Sequence, residues 1–105
     1  MARKKFQTLT EPMFYILLCL TKECCGVDIT EQVRRMTHER VLIGPGTLYT
    51  LLADFEKEQI IRATRTEGRR KSYIITPEGK TLLRAEYERL QQQVEAGRAC
   101  LEEET

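Results

Sequence analysis

Up to Phe55 the apolar residues of this chain recur at steps of three and four. Between Ile60 and Thr76 they give way to alternating, β-branched residues around Gly68, and after Pro77 the steps of three and four return. A helical period interrupted once by a strand period, within 105 residues, permits few architectures. It predicts a mainly α protein with a small β-hairpin. Leu9, Met13, Ile16, Leu17 and Leu20 share one face of a first helix over about Glu11 to Thr21, and Thr10 and Pro12 suit its first turn. After a break at Lys22-Glu23-Cys24-Cys25-Gly26, Ile29, Val33 and Met36 mark a short second helix ending near Thr37. Thr37 to Ile43 reads as a connector whose Val41, Leu42 and Ile43 dock on the core. Pro45 opens a third helix reaching about Glu58, with Leu48, Leu51, Leu52 and Phe55 facing inward.

Helix, helix, helix, hairpin is the order of a winged helix-turn-helix, and residues 1–76 are assigned to that domain. Thr76-Pro77 is a capping residue followed by proline, and it opens a C-terminal helix over residues 77–105. Along it Leu83, Tyr87, Leu90, Val94, Gly97 and Leu101 form a heptad seam of about three repeats. Such a narrow stripe lies either against a second copy of the chain or back on its own domain. A chain this small removes only about 60 to 70% of its unfolded surface from water, which favours the homodimer. Leu83, Tyr87, Leu90 and Val94 are therefore assigned to dimerisation. Gly97 costs about 1 kcal/mol relative to alanine, so fraying is expected beyond it.

Seventeen basic and sixteen acidic residues leave a net charge of +1, which by itself argues for no polyanionic partner. The distribution does. Arg62 to Lys71 holds five cations and one carboxylate, a net +4, while acid collects at Glu102-Glu103-Glu104. The longest apolar run, Ile16 to Leu20, is far shorter than the roughly 20 residues that cross a bilayer, and no membrane partner is expected. Met1 to Phe6 has no apolar stretch after its charges, so a cytoplasmic location is expected rather than secretion. Cys19, Cys24, Cys25 and Cys100 lack a ligand spacing, and the single histidine, His38, lies in another segment. Neither a metal site nor a cofactor is expected. Cys19 reads as a small core residue. His38 has no nucleophile near it in sequence, and no glycine-rich phosphate loop follows a strand, so no catalytic site is expected.

A helix that starts small and uncharged, followed by a basic hairpin, can reach base edges with one element and grip phosphates with the next. The segments Gly46-Thr-Leu-Tyr-Thr-Leu-Leu52, Glu56-Lys-Glu-Gln-Ile-Ile61, Gly68-Arg-Arg-Lys-Ser-Tyr73 and Thr76-Pro-Glu-Gly79 together resemble the PadR family of winged-helix regulators, over Leu9 to about Leu90. The resemblance implies a homodimeric transcription factor on double-stranded DNA, more often a repressor than an activator, in a family where several members answer to a small-molecule effector. It places Gly46, Thr47, Tyr49 and Thr50 at the start of the recognition helix and Arg69, Arg70 and Lys71 on the wing. Tyr49 should point outward, because Leu48, Leu51 and Leu52 supply the buried stripe, whereas Tyr73 suits the core. Thr50 stands where the family commonly has proline, and Gln59 where glycine is usual. Cys25 and Val27 flank Gly26 where histidine and tyrosine are frequent. Two other readings on the same fold are a protein-interaction module without DNA binding and a thiol- or metal-responsive regulator built on Cys24-Cys25.

Overall fold

The computed structural model describes residues 8–103. Met1 to Phe6, read above for a leader, and Glu104 of the acidic tail lie outside the described residues. Helix α1 spans Glu11–Cys19, strand β1 Cys24–Cys25, α2 Gly26–Met36, α3 Pro45–Lys57, β2 Ile61–Glu67, β3 Arg70–Ile75 and α4 Pro77–Glu103. The Thr10 hydroxyl caps α1 by accepting from the Met13 amide at 3.4 Å. That helix stops short of Thr21 because the Leu20 carbonyl accepts from the Ile75 amide at 2.8 Å, drawing the chain onto β3.

The expected hairpin is one part of a three-stranded antiparallel sheet with the order β1-β3-β2. Cys24 pairs with Tyr73 and Cys25 with Ser72. The supposed break at Lys22 to Gly26 therefore contains a strand, and α2 starts three residues before Ile29, directly from Cys25. Met36 does not join the inward stripe and is 44% exposed, since α2 ends there and the chain turns away through His38 (φ 53°) and Glu39 (φ 65°). In the connector Val41 and Ile43 are buried, but Leu42 points to the other side of the extended chain and is 69% exposed.

Helix α3 buries Leu48, Leu52 and Phe55, with Leu51 at the margin. It closes in a Schellman arrangement: the Ile60 amide donates to the Phe55 carbonyl at 2.8 Å and the Gln59 amide to that of Glu56 at 3.0 Å. Gln59 occupies the left-handed position (φ 63°) that glycine takes at no steric cost. The hairpin turns at Gly68 (φ 61°), and a bulge interrupts its register between Ala63 and Arg65.

Thr76 sits where three elements converge. Its hydroxyl lies 2.7 Å from the Gln59 carbonyl and 2.9 Å from that of Ile60, and accepts from the Gly79 amide at 3.0 Å. Helix α4 then continues through Gly97 to Glu103. Its first turns belong to the core. Leu83 is buried there beside residues such as Ile16, Leu17, Ile60 and Ile61, so its place in the seam is already taken by its own chain. Glu86 is buried as well, accepting from the Leu9 amide at 2.6 Å and from Arg89 at 2.8 Å through each oxygen. The Arg89 hydrogen bonds hold its carboxyl below the usual range against the effect of burial, and the Leu9 amide adds to them.

Candidate nucleic-acid interface

The start of α3 is open on three counts. Gly44 caps the helix without a side-chain bond, and the first intrahelical donor with an acceptor is the Leu48 amide, bonded to the Gly44 carbonyl at 2.9 Å. The Gly46 and Thr47 amides thus have no acceptor within the helix, the condition that suits a helix N-terminus to an anion. Gly44, Pro45, Gly46 and Thr47 are all exposed, as are Tyr49 and Thr50. A side chain built at Gly44 or Gly46 would meet nothing within 4 Å, so the fold's own packing does not require glycine at either place.

Tyr49 is 45% exposed and points outward as expected, but one edge of its ring turns back towards α2. A β-carbon at Gly26 would lie 3.4 Å from Tyr49 Cε1 and 3.5 Å from Tyr73 Cε1, so both rings border this glycine. Tyr73 is buried, and burial raises its phenol pKa, with the nearby Glu56 carboxylate adding to the effect. Lys71 Nζ stands 5.5 Å from the centre of the Tyr73 ring. Tyr49 at the start of α3 and Tyr73 of the wing thus converge on Gly26.

The wing cations differ in their surroundings. Arg69, at the tip, is exposed and forms no ion pair among the described residues. Arg70 reaches Asp28 of α2 at 3.4 Å, and Lys71 reaches Glu56 of α3 at 3.6 Å. On β2, opposite Ser72, Arg65 lies 4.0 Å from Glu23, whose carboxylate also accepts from the Thr64 hydroxyl at 2.6 Å. The cations are legible in the sequence, whereas their partners and the place of Gly26 between the two tyrosines are not. These contacts join residues far apart in the chain, and no local spacing announces them.

Of the seam residues, Tyr87 and Val94 are 50% and 65% exposed, Leu90 is half-buried, and Leu101 lies open farther along. Tyr87 borders a groove of about 600 Å³ between α1 and α4, which Phe14, Leu18, Lys80, Leu83 and Arg84 also line.

Cys19 and Cys24 are buried, Cys25 is half-buried and Cys100 exposed, and the described residues contain no cluster of three or more metal-ligating side chains. Burial, with a smaller contribution from Cys24, pushes the Cys19 thiol up to about 11. At pH 8 that leaves about one thiolate per thousand molecules. Alkylation of the native protein followed by mass spectrometry is expected to label Cys100 first and Cys19 last, the latter at least about ten-fold more slowly. Equal rates would show that the core around α1 opens readily.

A helix-turn-helix with a wing, followed by a long C-terminal helix, defines the class of winged-helix transcriptional regulators. The chain belongs to the transcriptional regulator PadR-like family, whose profile matches residues 16–85. A transcriptional regulator from Clostridium thermocellum superimposes with a TM-score of 0.71 at 26% identity, over 85% of this chain and 90% of that one. A PadR-like transcriptional regulator from Bacillus cereus gives 0.72 at 22% identity, over 86% and 90%. The chain is also 34% identical, over 61 residues and 58% of its length, to an uncharacterized 37.1 kDa protein in a Streptomyces fradiae transposon, of which it spans 17%. No helix among the described residues is long and apolar enough to cross a membrane.

Proposed function

We propose that this transcriptional regulator is a homodimeric repressor that binds a pseudo-palindromic operator in double-stranded DNA. Residues 1–76 would hold the DNA-binding unit and residues 77–105 the dimerisation helix, with half-sites about one helical turn apart. The observation that carries the reading is the exposed, uncharged start of α3 beside a wing that carries Arg69, Arg70 and Lys71. Gly46 lets the backbone approach, Thr47 and Thr50 offer hydroxyls and Tyr49 a phenol, while the wing cations grip phosphates. The groove between α1 and α4 is where we place a small-molecule effector, and a cytoplasmic location goes with the role.

Selection from random duplex DNA tests this directly, the expected result being a recovered palindrome whose affinity falls steeply with salt. Alanine at Arg69, Arg70 or Lys71 should weaken binding to every sequence and flatten the salt slope by about 0.9 for each phosphate that is no longer neutralised. Alanine at Thr47 or Thr50 should act unequally across operator variants, by about 1 to 3 kcal/mol where a hydroxyl meets a base edge. A parent protein without salt-dependent affinity for duplex DNA would replace this reading with the interaction module.

A further inference from the structure

Three of the hairpin's cations each face a carboxylate from a different neighbouring segment: Arg65 faces Glu23 just before β1, Arg70 faces Asp28 in the first turn of α2, and Lys71 faces Glu56 on α3. The Glu23, Asp28 and Glu56 side chains are 43%, 54% and 38% exposed, so none is a buried structural ion. Exposed pairs of this kind add little to folding stability. Their placement has another effect. The hairpin segment from Arg62 to Lys71 carries +4, and three carboxylates set against it leave a local excess of about one positive charge. Glu56 also stands seven residues beyond Tyr49, two helical turns along the same face of α3, where it would look towards DNA docked on Tyr49.

We propose that Glu23, Asp28 and Glu56 are specificity-determining residues: they hold the wing cations in the free protein and set a cost on phosphate contacts that only a correctly seated operator offsets. The inference rests on the DNA-binding reading above. On a random duplex, a phosphate must compete with a carboxylate already 3.4 to 4.0 Å from the cation. The displaced carboxylate then stays beside the DNA and recruits a counterion, which reduces the net ion release that drives nonspecific binding. On the operator, contacts made by the start of α3 fix one register in which the cations reach phosphates while keeping their carboxylates, so less of this cost is incurred than on a random duplex. Arg69, at the tip of the wing and with no such partner among the described residues, is the wing cation left to engage any duplex first.

The test compares Glu23→Gln, Asp28→Asn, Glu56→Gln and the triple variant with a control in which Glu88→Gln removes an equal charge from exposed α4, far along the chain from the hairpin. Affinity for random duplex and for the selected operator is measured between about 50 and 200 mM salt. Each single variant is expected to bind random duplex about three- to five-fold more tightly, and the triple more than about ten-fold, with a steeper salt slope. Operator affinity should rise less, so the ratio of operator to random binding falls. The control should change random binding less than about two-fold. If the parent binds its operator and the triple variant gains no more on random duplex than the control, the inference is overturned while the regulator reading stands. If neither the parent nor the triple variant binds duplex DNA in a salt-dependent way, the regulator reading fails, and this inference with it.

Discussion

Replacing Gly79 with alanine is expected to lower the melting temperature by about 10 to 20 °C, from a loss of about 3 kcal/mol. The position is the third residue of α4, where the helix crosses the end of the sheet, and a β-carbon there would stand 2.2 Å from the Ile60 carbonyl oxygen and 2.7 Å from Ile75 Cγ1. The carbonyl cannot give way, because it accepts from the Thr76 amide at 2.9 Å and lies 2.9 Å from the Thr76 hydroxyl. Relief therefore requires α4 to lift from the sheet, which exposes Leu83 and disturbs the buried Glu86. Gly97→Ala is the internal comparison: nothing lies within 4 Å of its added methyl group, and the helix should gain about 1 kcal/mol. Thermal melts of both variants check the argument. A Gly79→Ala protein melting within about 2 °C of the parent would mean that α4 does not approach the sheet this closely in solution.

The second large effect concerns assembly. Val94 is 65% exposed on the outer half of α4, so Val94→Asp should leave the fold of a single chain intact while placing a charge in the middle of the proposed seam. Sedimentation at micromolar concentration is expected to change from dimer to monomer, and operator affinity should fall steeply as the two recognition helices become independent. Leu90→Asp should act in the same direction, with some added cost to the fold because Leu90 is half-buried. Unchanged dimer mass in both variants would assign the interface to another surface. Leu83 is unsuited to this test, since a charge there would damage the core before any interface.

Much of the fold was legible because its segments are long and strongly periodic. The inward face of α3, the two hairpin strands around Gly68 and the opening of α4 at Thr76-Pro77 all lie where pattern and capping chemistry place them. Strand β1 escaped detection because two residues cannot display an alternation, and α2 began early because Cys25 offers no side-chain capping bond to announce it. The heptad seam was real as a pattern, but a repeat does not state which of its members face the home domain, and the N-terminal member, Leu83, does. The burial of Glu86 was not legible for a related reason. A carboxylate among Arg84, Tyr87 and Glu88 reads as surface, and only the approach of the Leu9 amide from 77 residues away explains its burial. At the candidate interface the exposed positions of α3 and the wing were legible residue by residue, whereas the wing's carboxylate partners depend on contacts across 15 to 42 residues.

The convergence at Thr76 gives α4 the mechanics of a lever. One hydroxyl group fastens the end of α3, the base of the wing and the first turn of α4 to a single fulcrum, and the 27 residues beyond it extend for about 40 Å. A tilt of about 5° at that point carries the far end of the helix through about 3.5 Å. In the opposite direction, a displacement of a few ångströms along the outer half of α4, where another subunit would press, becomes a small rotation of the α3 and wing unit as one body. Spacing between two such units on DNA would then be set by leverage at a distance, with no rearrangement inside either reading head.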